Sequence, residues 1–209
     1  MGDQYPPGRE ELRSIGCETV DYPAGSVLWR IHTTMSTHVT PWNRLRTFGP
    51  LKTSRWEPHP LPKGEHDPLG AAYLGEDVTT CLAEVFQTSR FVDVDTASPY
   101  ITAFRTAADL VLADLTGPWF HRAGASSAAA LGAKIRTRTW ARAIHEAWPD
   151  LDGIIAPSAV VGGRRIVAAW NTRIFPAAPE SSLPLNSPAI VSRILVAANG
   201  IGYDSNIII

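Results

Sequence analysis

The chain has 209 residues, 44% of them hydrophobic and 19% charged, which predicts one globular domain with a sizeable core and excludes a mainly disordered chain. Lys and Arg number 19 against 20 Asp and Glu, so no global basic field exists to hold a phosphate backbone, and direct nucleic-acid binding is not expected. No apolar run reaches membrane-spanning length, the start from Met1 to Pro7 does not read as a signal peptide, and Cys17 and Cys81 alone cannot build a disulfide framework or a closed zinc site; a cytoplasmic protein without membrane or metal is expected.

Residues 1–26 are rich in Pro, Gly and charge and read as an irregular extension. Val27 to His32 alternates and is β-prone, predicting a strand. The stretch from Thr33 to Leu69 is dense in turn residues; a loop of that length in a compact domain is usually functional. Ala71 to Leu74 is a short strand, and Asp77 to Phe86 a helix whose apolar face is Val78, Cys81, Leu82, Val85 and Phe86. Strands follow at Ile101–Phe104 and Leu110–Asp114, then an Ala-rich helix from Ser126 to Ala133. A second helix, Thr139 to Trp148, repeats Trp140, Ile144 and Trp148 at helical spacing and is stopped by Pro149. Gly153–Ala156, Arg165–Ala169 and Thr172–Phe175 read as strands, Pro176–Pro188 as a linker, and Ala189–Ala197 as a final strand. Ile207, Ile208 and Ile209 form an apolar end that needs a docking surface. Short strands broken by a few helices, without regular β-α alternation, give an α+β fold.

Walker, GxGxxG, HExxH, GxSxG and CxxC motifs are all missing, which removes the commonest NTPase, dehydrogenase, zinc-peptidase and hydrolase readings. The six histidines lack metal-ligand spacing and read as surface or structural. Ser158 follows Pro157 with no local histidine, so a Ser-His-Asp triad is unsupported. Glu84 has threonines four residues to either side and therefore no helical ion pair; it is either solvated or aimed into a site. Arg30 lies between Trp29 and Ile31 on a core strand, where a buried guanidinium requires an anionic partner; the alternative is an outward-facing arginine. Arg55 is a loop cation beside Trp56, and Tyr73 either packs in the core or offers a stacking face.

Taken together, Leu28-Trp29-Arg30, Ser54-Arg55-Trp56, Ala72 to Glu76 leading into Leu82-Ala83-Glu84-Val85, Gly153 to Ser158 and Trp170-Asn171 resemble the RES domain, a family named for its Arg, Glu and Ser. The correspondence runs over residues 27–175, leaving 176–209 as a C-terminal extension with a final strand. The resemblance implies an ADP-ribosyltransferase-like fold, with small β-sheets and a few flanking helices around an NAD pocket. It implies Glu84, Arg30 and Ser158 as the catalytic triad of the name, and Arg55, Tyr73 and Asn171 as further substrate-binding residues. The family commonly has Asn after the Arg-Trp pair, where this chain has Glu57-Pro58-His59-Pro60; an extra carboxylate there opposes a pyrophosphate.

Cleavage of the nicotinamide–ribose bond passes through an oxocarbenium-like ribosyl cation, and the leaving nicotinamide is neutral. Positioning and a fixed negative charge are what the enzyme must supply, a role that suits Glu84. Arg30 and Arg55 suit the pyrophosphate as bidentate donors, Tyr73 suits the cationic nicotinamide ring, and Ser158 and Asn171 suit ribose or phosphate oxygens. NAD+ is then a consumed substrate and no cofactor is needed. The expected function is a toxin that hydrolyses or phosphorolyses NAD+, depletes the cell and is neutralised by a cognate antitoxin with a helix-turn-helix domain. Transfer of ADP-ribose to a protein target, or a non-catalytic binding module of the same fold, are the alternatives.

Overall fold

A computed structural model describes residues 5–208, apart from the side chains of residues 127 and 128. In chain order the elements are α1 (Arg9–Ile15), β1 (Thr19–Tyr22), β2 (Val27–Thr33), β3 (Phe48–Gly49), β4 (Gly64–Glu65), β5 (Ala72–Gly75), α2 (Val78–Val85), β6 (Phe91–Val92), β7 (Pro99–Arg105) and β8 (Leu110–Asp114). They continue with α3 (Trp119–Arg122), α4 (Ser127–Leu131), α5 (Lys134–Ala147), β9 (Gly153–Pro157), β10 (Arg165–Ala169), a 3-10 turn at Thr172–Ile174, β11 (Ser181–Pro184), α6 (Val191–Gly200) and β12 (Asp204–Ser205).

Eight strands form one mixed sheet in the order β1-β8-β9-β10-β5-β2-β7-β11, and two small ribbons, β3–β4 and β6–β12, stand apart. The fold is α+β. Strand alternation divides the core. On one face, Leu28, Leu74, Phe104, Leu112, Ile155 and Val167 pack together under Trp42 and Phe175. On the other, Ile154, Ala156, Ile166 and Tyr73 meet α3, α4 and α5, while Trp29 and Ile31 meet α2 and α6.

One seam in the sheet matters for function. β2 pairs with β7 over seven residues, but with β5 only at Trp29↔Gly75. Beyond that point β2 and β5 are no longer joined, and α2, which begins three residues after β5, lies across the opening. α2 starts there because Asp77 caps it, accepting a hydrogen bond from Thr80 N at 2.9 Å, and because Val78, Cys81 and Leu82 supply one buried stripe.

Four expectations are corrected. Residues 1–26 are not irregular throughout: α1, acidic in its first turn and closed by Arg13, buries Leu12 and docks through Arg13 Nε on Ala147 O at 3.1 Å, and β1 pairs antiparallel with β8. Thr172–Ile174 is a 3-10 turn rather than a strand, because Asn171 Oδ1 accepts Arg173 N at 3.1 Å and tightens the backbone. The linker contains β11, an edge strand whose ladder bonds come from β7. The expected final strand over Ala189–Ala197 is instead α6, since Ile194, Ala197 and Ala198 recur at helical spacing and pack on α2. Of the apolar end, Ile207 packs against the α2–α6 cluster and Ile208 is exposed, while Ile209 lies outside the described residues.

Candidate active site

A cavity of about 190 Å³ opens at the seam. Ile31 of β2, Tyr73 and Gly75 of β5, Glu84 of α2, Arg55 from the long loop and Ala159 after β9 all contribute to its lining. Among the described residues no three His, Cys, Asp or Glu side chains group to hold a metal ion.

Glu84 is half-buried near the end of α2, where the apolar face turns toward the cavity. Its Oε1 accepts two hydrogen bonds, from Ser158 Oγ at 2.6 Å and Ala159 N at 2.9 Å. Ser158, 5% exposed, sits where β9 turns toward β10 and accepts from Val160 N at 3.2 Å and Val161 N at 3.0 Å. One donor and two acceptor sites are all a hydroxyl has, and here all three are used. Ser158 therefore has a fixed proton direction and orients the carboxylate. Glu84 Oε2 has no hydrogen bond among the described residues, leaving one anionic oxygen free on the cavity wall.

Tyr73 and Arg55 are held through one tryptophan. Trp56, 1% exposed, donates its backbone N–H to Tyr73 Oη at 3.1 Å and accepts from Trp170 Nε1 at 3.2 Å. Burial, reinforced by the charge of Glu57, pushes the Tyr73 phenol above its ordinary range, so it stays protonated and presents a neutral ring. Arg55 donates through Nη1 to Gly132 O, while its buried Nε has no partner.

Glu57 does not oppose an anion in this cavity. It is fully buried outside the lining, paired with Arg46, and accepts from Leu51 N at 2.6 Å. Burial would raise its pKa, but the neighbouring His59, the Arg46 charge and donors from Ser54 and Leu51 outweigh it and hold the carboxyl below its ordinary value. The departure from Asn is a structural ion pair that organises the long loop.

Arg30 is not brought together with Glu84. It falls on the sheet face of Leu28 and Leu74, is 7% exposed, and has no carboxylate partner among the described residues. Its Nη1 instead donates to the carbonyls of Trp42 and Arg44, both at 2.7 Å, and more distantly to Pro41. Burial and the nearby Arg46 lower its pKa to about 10, still charged at neutral pH. It lines a second cleft of about 570 Å³, which shares Ile31 and Val85 with the Glu84 cavity. Asn171 is exposed, caps the 3-10 turn and lies outside both linings.

Sequence reasoning missed two polar groups. Gln87 lines the cavity and ties its Nε2 to Glu84 O at 2.8 Å. Lys134, at the start of α5, has its pKa lowered by burial and by the charges of Arg55 and Arg138, while Glu84 acts in the opposite direction. Lys134 thus feels the charges of Arg55, Arg138 and Glu84.

A family model described as the RES domain matches residues 27–187, a span that contains Arg30, Arg55, Tyr73, Glu84, Ser158 and Asn171 and reaches past Phe175 through β11. Three chains of solved structures match. One of these belongs to the M. tuberculosis MbcT-MbcA toxin–antitoxin complex; it is 19% identical, with a TM-score of 0.55 over 90% of this chain and 96% of that chain, a likeness of fold. No curated protein matches. The family model covers most of the chain and includes the hydrogen-bonded Glu84–Ser158 pair, of which Glu84 lines the cavity and Ser158 stands behind it outside the lining, so the chain belongs to the RES domain family.

Proposed function

We propose that this chain cleaves the nicotinamide–ribose bond of NAD+, passing the ADP-ribosyl group to water or inorganic phosphate, and that it serves as the toxin of a toxin–antitoxin pair. The observation that carries the reading is the Glu84 carboxylate: one oxygen fixed by Ser158 and Ala159, the other free in a cavity shared with the Tyr73 ring.

In the reaction the bond from ribose C1 to the pyridine nitrogen breaks, and its electron pair returns to the ring, which leaves neutral. A new bond forms from C1 to the acceptor oxygen, whose proton is released. No general acid is needed for such a leaving group. Positive charge develops on the ribose, and a carboxylate already oriented by its neighbours stabilises it without reorganising. Tyr73, held as a neutral phenol, offers its face to the cationic pyridinium before cleavage and loses that attraction once the ring is neutral. Arg55, which lines the same cavity as Glu84, favours an anionic acceptor there.

Since the MbcT-MbcA structure is a toxin with its antitoxin, the same fold suggests a neutralising partner here, one that covers the cavity mouth. Purified protein incubated with NAD+, with and without phosphate, is expected to release nicotinamide plus ADP-ribose or its 1-phosphate, identified by mass. Glu84→Gln is expected to abolish release while leaving the circular dichroism unchanged. A folded wild type that leaves NAD+ intact overturns the reading, and ADP-ribose mass appearing on a protein moves it to a transferase.

A further inference from the structure

The Glu84 cavity, at about 190 Å³, is smaller than the roughly 300–1,000 Å³ of pockets that hold drug-sized ligands, so it suits one ring of a dinucleotide and not the whole. Its polar lining is sparse, and most of it is already engaged. Thr80 donates its hydroxyl to Asp77 Oδ2 at 3.1 Å, Cys81 its thiol to Trp29 O at 3.2 Å, and Tyr73 Oη accepts from Trp56 N. Ser54 Oγ meets Arg46 Nη2 at 3.5 Å, and Arg55 has donors only. Thr53 stands exposed on the long loop, its hydroxyl unheld. Among the described side chains of the lining, two held groups then have an acceptor to spare: Oε2 of Glu84 and Oε1 of Gln87.

Gln87 stands three residues after Glu84, just past the end of α2, and is half-buried. The last carbonyls of a helix have no partner within it. Gln87 satisfies one of them, donating through Nε2 to Glu84 O at 2.8 Å. A carbonyl only accepts, so the NH2 end of the amide must face it and Oε1 is the end left over. That oxygen has no hydrogen bond among the described residues. The residue that aims the carboxylate thus also tethers a neutral amide in the same cavity.

We infer that Gln87 determines which pyridine ring the cavity accepts, its Oε1 taking a hydrogen bond from the carboxamide N–H of nicotinamide while Glu84 faces the ribose. The inference rests on the NAD+ reading above. A ring with a methyl ketone in place of the amide keeps the carbonyl but has no N–H, and it leaves Oε1 unpaired. Sites built to hydrogen-bond a substrate N–H reject the analogue lacking it for that reason. A ring with a carboxylate there sets a negative charge against Oε1.

The test assays the full chain with NAD+ and with its acetylpyridine and nicotinic acid analogues, which share the ADP-ribose half. Gln87→Met keeps the side-chain length and removes the amide, including the tether to Glu84 O, a loss felt by every dinucleotide alike. The ratio of kcat/KM for NAD+ to that for the acetylpyridine analogue divides out this loss and the reactivity of each ring. From wild type to Gln87→Met the ratio is expected to fall about tenfold, the size of one ordinary hydrogen bond. Gln87→Lys, which offers a cation to the carboxylate of the nicotinic acid analogue, should raise that analogue relative to NAD+ by about tenfold, a gain that loosened structure does not produce. A Gln87→Met ratio within twofold of wild type overturns the inference, as does Gln87→Lys without the gain. If wild type leaves all three dinucleotides intact, the enzymatic reading fails, and binding of free nicotinamide and free acetylpyridine, followed by saturation-transfer NMR, decides this one. Nicotinamide held more tightly than acetylpyridine by wild type, and equally by Gln87→Met, upholds it; any other pattern overturns it.

Discussion

At the scale of single residues, the site is built from side chains that fix other side chains. Ser158 is the clearest case, because its hydroxyl touches Glu84 and two backbone N–H groups. Ser158→Ala removes a hydrogen bond to a carboxylate, worth about 1.5–3 kcal/mol, and leaves Val160 and Val161 without their acceptor. We expect kcat for NAD+ cleavage to fall by about 10- to 100-fold with KM within twofold, read from steady-state nicotinamide release. Glu57 makes a prediction about pH. Its folded pKa lies below the ordinary 4.5, so its stabilising contribution is complete above that value and is lost as pH falls through the lower folded pKa. Glu57→Gln should therefore lower stability at pH 7 by about 2–3 kcal/mol, since it leaves Arg46 without its partner. In urea titrations the gap between variant and wild type should close progressively below about pH 4.5. A gap constant down to the acid transition would mean the pair contributes nothing.

At the scale of elements, two strands and a glycine determine where Ser158 stands. Gly153 has φ +152°, and a Cβ there would lie 2.2 Å from Ala168 O on the neighbouring strand. Gly153→Ala must push β9 from β10, with an expected loss of at least about 2 kcal/mol in thermal or urea unfolding and a displaced Ser158 at the far end of β9. The motif containing Gly153 was readable in the sequence; its reason, the close approach of two backbones, was not. The same holds for the elements as a class. β2, β5, β7 to β10, α2 and α5 were legible because period, caps and stops agree locally, as with Asp77 before α2 and Pro149 after α5. α6 was not, because Val191 to Ala198 is a short run of apolar and β-branched residues that suits a strand as well as a buried helix, and its packing on α2 decides. β11 was hidden by Pro184, which an edge strand tolerates and a linker favours.

At the scale of the whole molecule, the site depends on chain beyond its motifs. Arg55, Tyr73 and Glu84 were legible as a set, and they line one cavity. Arg30 was legible as a residue but not as a position, because sheet alternation carries it to the other face and only the parting of β2 from β5 lets both faces meet. Lys134 has no motif, and only the fold brings it under the charges of Arg55 and Glu84. The C-terminal segment shows the same dependence most fully. α2, which holds Glu84, is packed between β2 on one side and α6 on the other. Ile194 is 1% exposed in the cluster with Leu82, and Tyr203 donates its hydroxyl to Ala83 O at 3.3 Å, one residue before Glu84. Asn206 Oδ1 then accepts Val94 N at 2.9 Å and anchors β12 beside β6. A chain cut after Ser187, where the family match ends, would expose Leu82, Val92 and Ile101 to water, and it is expected to aggregate or to lack cooperative unfolding. The milder Ile194→Ala leaves a cavity under α2 and should cost about 2–4 kcal/mol. Its kcat should fall further than that of an equally destabilising core change far from α2, such as Ile144→Ala in α5's cluster, because only the first loosens the helix that aims Glu84. Measuring both variants well below their unfolding temperatures separates the two effects; equal kcat values would mean that α6 supports stability alone.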